Sequence, residues 1–147
     1  MTPDDPDALP EALSARTAYM LARAAARAHA MGERDLEPLG ISAREYAVLE
    51  VLAERSPLTQ TRIADILALD RTTILKLGAS LEHKGLVVRE RDERDRRAYA
   101  VALTHAGHRI RRRALTRLVD SEERFLMPLG GEQRHQLNDL LSRIVYL

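Results

Sequence analysis

Cysteine and tryptophan are absent from the 147 residues, and the remaining aromatics are four tyrosines and one phenylalanine. Without cysteine there is no disulfide framework, no thiolate zinc site and no thiol-based redox sensor. So few rings are a poor stock for the stacking platforms that hold single-stranded RNA. Long apolar runs are missing too. The most apolar stretch near the N-terminus, residues 17–22, lies between Arg16 and Arg23 and is far too short to span a bilayer. The first seven residues are acidic and carry prolines where a secretory signal would be basic and then apolar. A cytoplasmic protein with no membrane contact is therefore expected. No glycine-rich phosphate loop, nucleophile motif or acid pair in an apolar setting is found, so neither catalysis nor a cofactor is expected.

What is present suits one ordinary domain with a real core. Hydrophobic residues make up 45% and charged residues 31%, a balance typical of globular chains. The net charge is only +1, yet it is unevenly spread. Between Arg89 and Arg113 there are nine arginines against four acids, a local +5, whereas Asp4, Asp5, Asp7 and Glu11 make the start acidic. A localised positive field suits a polyanionic partner, although a solvated charged loop would have the same composition.

The pattern is mainly α with a small β-hairpin. Residues 9–31 form a first, alanine-rich helix with Leu13, Met20, Ala24 and Ala28 at helical spacing, closed by Gly32 and Pro38. Ser42 opens the next helix with Glu45 as its capping-box partner, and Tyr46, Leu49, Leu52 and Ala53 make its inner stripe. Thr59 caps a short helix carrying Ile63, Ala64 and Leu67 inward. The turn Ala68-Leu69-Asp70 then leads into a helix whose inner face is Ile74, Leu77 and Leu81. Gly85 occupies a helix C-terminal position. Two helices joined by so short a turn are a helix-turn-helix candidate. Beyond Gly85 the period falls to 2, and residues 86–91 and 98–103 read as two strands around a polar tip. Thr104 caps a long helix running to about Met127, and a last helix carries Leu137, Leu140, Leu141, Ile144 and Val145 on a broad apolar face.

Three blocks resemble the MarR family of bacterial regulators. They are Leu81-Glu82-His83-Lys84-Gly85-Leu86-Val87, the tip Asp92-Glu93-Arg94-Asp95-Arg96-Arg97, and Leu103-Thr104-His105-Ala106-Gly107. They occur in the family's order and spacing, within a stretch from Leu39 to Gly107. The resemblance implies a single domain over residues 1–147. Residues 42–103 would form a winged helix-turn-helix DNA-binding lobe, and residues 9–37 and 105–147 the dimerisation helices of a two-fold dimer. It implies a transcriptional regulator, a repressor, acting on double-stranded DNA with an inverted-repeat operator.

On that reading the helix after Asp70 enters the major groove, and its outer face presents Arg71, Thr72, Leu75, Lys76, Ala79 and Ser80. Arg71, Thr72 and Lys76 reach phosphates or base edges, and Leu75 a thymine methyl. Gly78 departs from the family's branched apolar residue and costs about 1 kcal/mol of helix propensity. Arg94 and Arg96 are candidates for the adjacent minor groove. Arg97 either joins them or pairs with Asp92 or Asp95 within the hairpin. Arg89 and Arg91 meet flanking phosphates or stay solvated.

Family members commonly bind small aromatic acids between the dimerisation helices and the DNA-binding lobe. By position Arg16, Tyr19, His29 and Tyr46 line such a cleft, with Arg16 facing a carboxylate; the plainer alternative is a surface ion pair and core tyrosines. His105 and His108 stand at i, i+3, close enough to share a metal ion, but no third ligand follows from spacing. The competing readings are a winged-helix protein interaction module without DNA binding and a small metal-dependent enzyme using those two histidines.

Overall fold

The computed structural model describes residues 9–91 and 99–146. Its elements run α1 (Glu11–Ser14), α2 (Thr17–Leu36), a 3-10 turn (Glu37–Leu39), α3 (Ala43–Arg55), β1 (Leu58–Thr59), α4 (Gln60–Leu67), α5 (Arg71–His83), β2 (Val87–Arg91), β3 (Tyr99–Leu103), α6 (His105–Phe125) and α7 (Gly131–Val145). The protein is mainly helical, as expected, with a small antiparallel sheet in the order β1-β3-β2.

The helix starts are fixed by the side chains that the spacing singles out. Ser42 Oγ accepts from the Glu45 amide at 3.1 Å while the Glu45 carboxylate accepts from the Ser42 amide at 2.8 Å, a complete capping box. Thr59, Asp70 and Thr104 each accept from the amide three residues on, at 3.3, 2.9 and 3.0 Å. Gly85 takes φ +68°, the left-handed conformation that lets α5 end and the chain turn into β2.

Three expectations change. The first helix is broken at Ala15 and Arg16, where Ser14 Oγ donates back to the Glu11 carbonyl and Arg16 adopts an extended conformation. It also passes through Gly32 to Leu36 rather than stopping at Gly32. A Cβ at Gly32 would lie 3.2 Å from Leu118 Cδ2, so this glycine serves the close packing of α2 on α6. A third strand, β1, pairs Leu58 with Val101 and Thr59 with Ala100. Two residues carry no legible alternation.

The core lies where α3, α4 and α5 meet the sheet and α6. Leu36, Leu49, Leu52, Ile63, Leu81 and Ala114 are fully buried there. α7 stands apart and buries no residue. The apolar face expected of it is therefore open in the single chain, with Leu140 56%, Ile144 58% and Val145 68% exposed. Among the described residues no helix is long and apolar enough to cross a membrane.

Candidate nucleic-acid interface

α4 and α5 are joined by Ala68, Leu69 and Asp70, with Ala68 in the left-handed region at φ 50°. The Leu69 amide donates to the Ala64 carbonyl at 2.9 Å, which closes α4 before α5 begins. Asp70 then caps α5 through both carboxylate oxygens, accepting from the Thr73 amide at 2.9 Å and from the Thr73 hydroxyl at 2.5 Å. These bonds hold its carboxyl below the ordinary aspartate range.

With Ile74 and Leu81 buried and Leu77 packed against the core, Arg71, Thr72, Leu75, Lys76 and Ala79 lie on the open side of α5. Leu75 is 44% exposed, a large apolar side chain in open water on the same face as two cations. Ser80 differs from the expectation. Its hydroxyl turns inward and donates to Glu45 Oε1 at 2.7 Å, so it does not belong to the outward row. Gly78 is buried, and a Cβ on it would run into Gln60 Nε2. The Gln60 amide fills the place of the missing side chain, at the cost of leaving that nitrogen without a hydrogen-bond partner.

Arg94, Arg96 and Arg97, expected to act at the wing, lie outside the described residues. At the base of the wing Arg89 is exposed and pairs with Glu82 of α5 at 3.0 Å, a surface ion pair in contact with water. The start of α6 is fastened to the turn that leads into β2. Thr104 Oγ1 donates to the Gly85 carbonyl at 2.7 Å, the Thr104 amide donates to the Leu86 carbonyl at 3.1 Å, and Gly107 packs against that same carbonyl. The leucine-threonine-x-x-glycine block thus seats α6 on the turn that follows α5.

The four residues proposed for an effector cleft do not converge within one chain. Arg16 and Tyr19 are exposed near the start of α2. His29, beside Glu33 at 3.6 Å, lies thirteen residues further along the same helix, or about 20 Å away. Tyr46 is half-buried on α3, with its hydroxyl near the Glu50 carboxylate. A groove of about 880 Å³ between α2, α6 and α7 is lined by none of them. His105 and His108 are exposed on the first turn of α6, and among the described residues no group of three metal-ligating side chains occurs.

Sequence reasoning missed two polar links. Arg111, placed only in a basic run, bonds Glu50 across α3 and α6. Glu45, read only as a cap, also reaches Ser80 and Lys84 of the α5 end. A signal for the second was available. Residues 45, 49 and 52 share one helix face, so the stripe that buries Leu49 and Leu52 had to bury Glu45 as well.

Two helices joined by a three-residue turn and followed by an antiparallel hairpin define a winged helix-turn-helix protein. Residues 39–98 match the MarR family. The organic hydroperoxide resistance transcriptional regulator of Bacillus subtilis (strain 168) is 31% identical over 110 residues, covering 75% of this chain and 74% of its own. A transcriptional regulatory protein for the hcr operon of Thauera aromatica is 31% identical over 105 residues, and the match covers 71% of this chain but 63% of that protein. In structure the chain is similar to the transcriptional repressor CouR bound to a 23-mer DNA duplex, with TM-score 0.87, 29% identity, and coverage of 94% of this chain and 99% of that one. CouR of Rhodococcus jostii RHA1 bound to p-coumaroyl-CoA gives TM-score 0.80 at 29% identity, covering 92% and 95%. The chain belongs to the MarR family of transcriptional regulators.

Proposed function

We propose that the chain is a homodimeric repressor of the cytoplasm that binds double-stranded DNA by sequence at an inverted-repeat operator. The observation that carries this reading is the open row Arg71, Thr72, Leu75 and Lys76 on α5, directly after a side-chain-capped helix start. Donors at the first turns can meet base edges or phosphates, and Leu75 offers an apolar surface to a thymine methyl. Ser80, bonded to Glu45, is left out of this set. Arg94, Arg96 and Arg97, between β2 and β3, add phosphate and minor-groove contacts on the strength of their charge. The test is selection of duplexes from a random pool by the purified protein. A selected site with dyad symmetry and half-sites about 10 bp apart supports the reading, and one without symmetry overturns its geometry.

A second copy of this chain is the occupant proposed for the open α7 face and the groove beside it. α7 alone has no core to join, and an apolar face of this kind, continuous with the exposed alanines of α2, is what a two-fold helical interface covers. Light scattering at micromolar concentration should give about twice the 16.5 kDa chain mass. A folded species of single mass overturns the dimer.

Release by a small anionic aromatic ligand completes the proposal. It rests on the similarity to CouR, solved with p-coumaroyl-CoA, and on Arg16 and Tyr19 standing exposed at the N-cap and in the first turn of α2. A salicylate-like carboxylate should weaken the protein–DNA complex, and Arg16→Ala should blunt that response. An unchanged response removes Arg16 from the site.

A further inference from the structure

Among the described residues Glu45 is the only buried charged side chain, 4% exposed. Its two oxygens are both engaged. Oε2 accepts from the Ser42 amide at 2.8 Å and from Lys84 Nζ at 2.8 Å; Oε1 accepts from the Ser80 hydroxyl at 2.7 Å and from Lys84 Nζ at 2.6 Å. Ser80 sits in the last turn of α5 and Lys84 is its C-cap, so one carboxylate on α3 grips the end of the DNA-facing helix at i and i+4. The gripping end is itself anchored. Ser42 and Glu45 cap α3 reciprocally, and Glu33 of α2 accepts from the Ala43 amide at 3.0 Å.

Packing alone would set α5 less sharply. Ile74, Leu77 and Leu81 hold it by contacts that have no direction, and an apolar stripe tolerates some roll and slide. Hydrogen bonds do not tolerate it, because they weaken steeply with angle and within a few tenths of an ångström. A roll of about 20° carries a side-chain tip, about 6 Å from a helix axis, through about 2 Å, enough to take it out of reach of a base edge. An ion pair of this type, with Glu45 buried and Lys84 about one-third exposed, contributes little net stability compared with apolar replacements, so its geometric effect is the more informative one.

We propose that Glu45 is a positioning residue for DNA readout: through Ser80 and Lys84 it sets the roll and axial register of α5 and thereby of Arg71, Thr72, Leu75 and Lys76. The inference rests on the reading of α5 as the DNA-contacting helix. Burial would raise the Glu45 carboxyl, but the bonds from Lys84, Ser80 and Ser42 and the Lys84 charge outweigh it and hold the group below the ordinary range, hence ionised at neutral pH.

The test uses Glu45→Gln, Ser80→Ala and the apolar pair Glu45→Met with Lys84→Met. Each is titrated at several salt concentrations against the duplex that the wild type selects from a random pool and against a scrambled duplex. Glutamine can still cap at this position, so α3 should form. Val48→Ala, a core truncation outside this network, is the control for lowered stability. Expected is an operator-to-scrambled ratio lowered about tenfold in Glu45→Gln and in the double variant, and less in Ser80→Ala, with an unchanged salt slope because the phosphates stay neutralised. Val48→Ala should keep the wild-type ratio. A wild-type ratio in Glu45→Gln, or an equal drop in Val48→Ala, overturns the positioning role. If the double variant does not fold, Glu45→Gln and Ser80→Ala decide. A wild type that prefers no duplex overturns the DNA-binding reading, and the inference with it, which sets that failure apart from the other.

Discussion

Arg111 of α6 donates to both carboxylate oxygens of Glu50 on α3, with Nε–Oε2 at 2.7 Å, and so ties the long α6 helix to the lobe that carries α4 and α5. The pair is about one-quarter exposed on each side. The Tyr46 hydroxyl lies near the same carboxylate, which helps to hold the Glu50 carboxyl down. Hydrogen bonds to a charged group contribute more than neutral ones, and leaving Arg111 and Tyr46 unpaired in a half-buried site adds a desolvation cost. Glu50→Ala should therefore lower unfolding stability by about 1–2 kcal/mol, read from urea midpoints. A change within measurement error would show that water replaces this carboxylate without penalty.

The same cluster gives an alkaline signature. Burial, then the hydrogen bond and charge of Glu50, push the Tyr46 phenol up to about 12, with Arg111 acting the other way. A folded pKa above the unfolded one means that the native state keeps its proton longer. The associated stability is whole below pH 10 and is lost as pH rises toward 12. In a tyrosinate absorbance titration, the amplitude removed by Tyr46→Phe should lie at the top of the curve, near 12. An amplitude centred on the ordinary value of 10 would remove Glu50 from contact with the ring hydroxyl.

Acid acts on the carboxylates in the opposite sense. Arg111 holds the Glu50 carboxyl down; at Glu45 the bonds from Lys84, Ser80 and Ser42 override the burial. Both groups thus bind fewer protons folded than unfolded once pH falls below about 4.5, and stability must drop from there downward. Denaturant midpoints from neutral pH to about pH 3 should show a steep acid limb that is shallower in Glu45→Gln. An equal slope in that variant would exclude Glu45 as a source of the acid sensitivity.

Much of this architecture was legible because the signals were local. Ser42, Thr59, Asp70 and Thr104 announce helix starts by chemistry that acts over three residues, and all four cap as expected. Gly85 ends α5 for an equally local reason. What escaped was tertiary. The pass of α2 through Gly32 depends on Leu118, 86 residues away, and β1 exists only because β3 offers an edge beside it. Ser80 looked outward by helical spacing, but Glu45 is buried on α3 and draws the hydroxyl in. Arg16 and His29 were grouped as one cleft by position in the chain, although a straight helix separates them by about 20 Å.

Two glycines that look alike in the sequence should respond oppositely to alanine. At Gly107 a Cβ would strike the Leu86 carbonyl, which is backbone already held by the Thr104 amide and cannot move away. Gly107→Ala should cost about 1–3 kcal/mol, as overpacking does. At Gly78 the obstacle is the far end of Gln60, a flexible side chain whose buried nitrogen has no partner. Swinging it into water would satisfy that nitrogen and allow α5 to gain up to about 1 kcal/mol of helix propensity. Thermal melts of both variants decide the matter. A destabilised Gly78→Ala would mean that the Gln60 packing matters more than the helix it interrupts.

The division of labour between wing and helix is open to a salt experiment. Arg94 and Arg96 are two of the nine arginines of the 89–113 stretch, which is +5 as a whole, and arginines at a hairpin tip contribute affinity through phosphate and groove shape with little base information. Thr72 and Lys76 stand on the open face of α5, behind the Asp70 cap, the face proposed to meet base edges. Replacing Arg94 and Arg96 together by alanine should weaken binding to every duplex. It should also flatten the dependence of log affinity on log salt, by about one unit for each phosphate that is no longer neutralised. Thr72→Ala or Lys76→Ala should instead narrow the gap between operator and random DNA, by about 1–3 kcal/mol for each base edge that is no longer read. Uniform weakening by the helix variants, with an unchanged gap, would reassign those side chains to phosphate. Wild-type affinity and slope in the double arginine variant would remove the wing from the DNA interface and leave recognition to α5 alone.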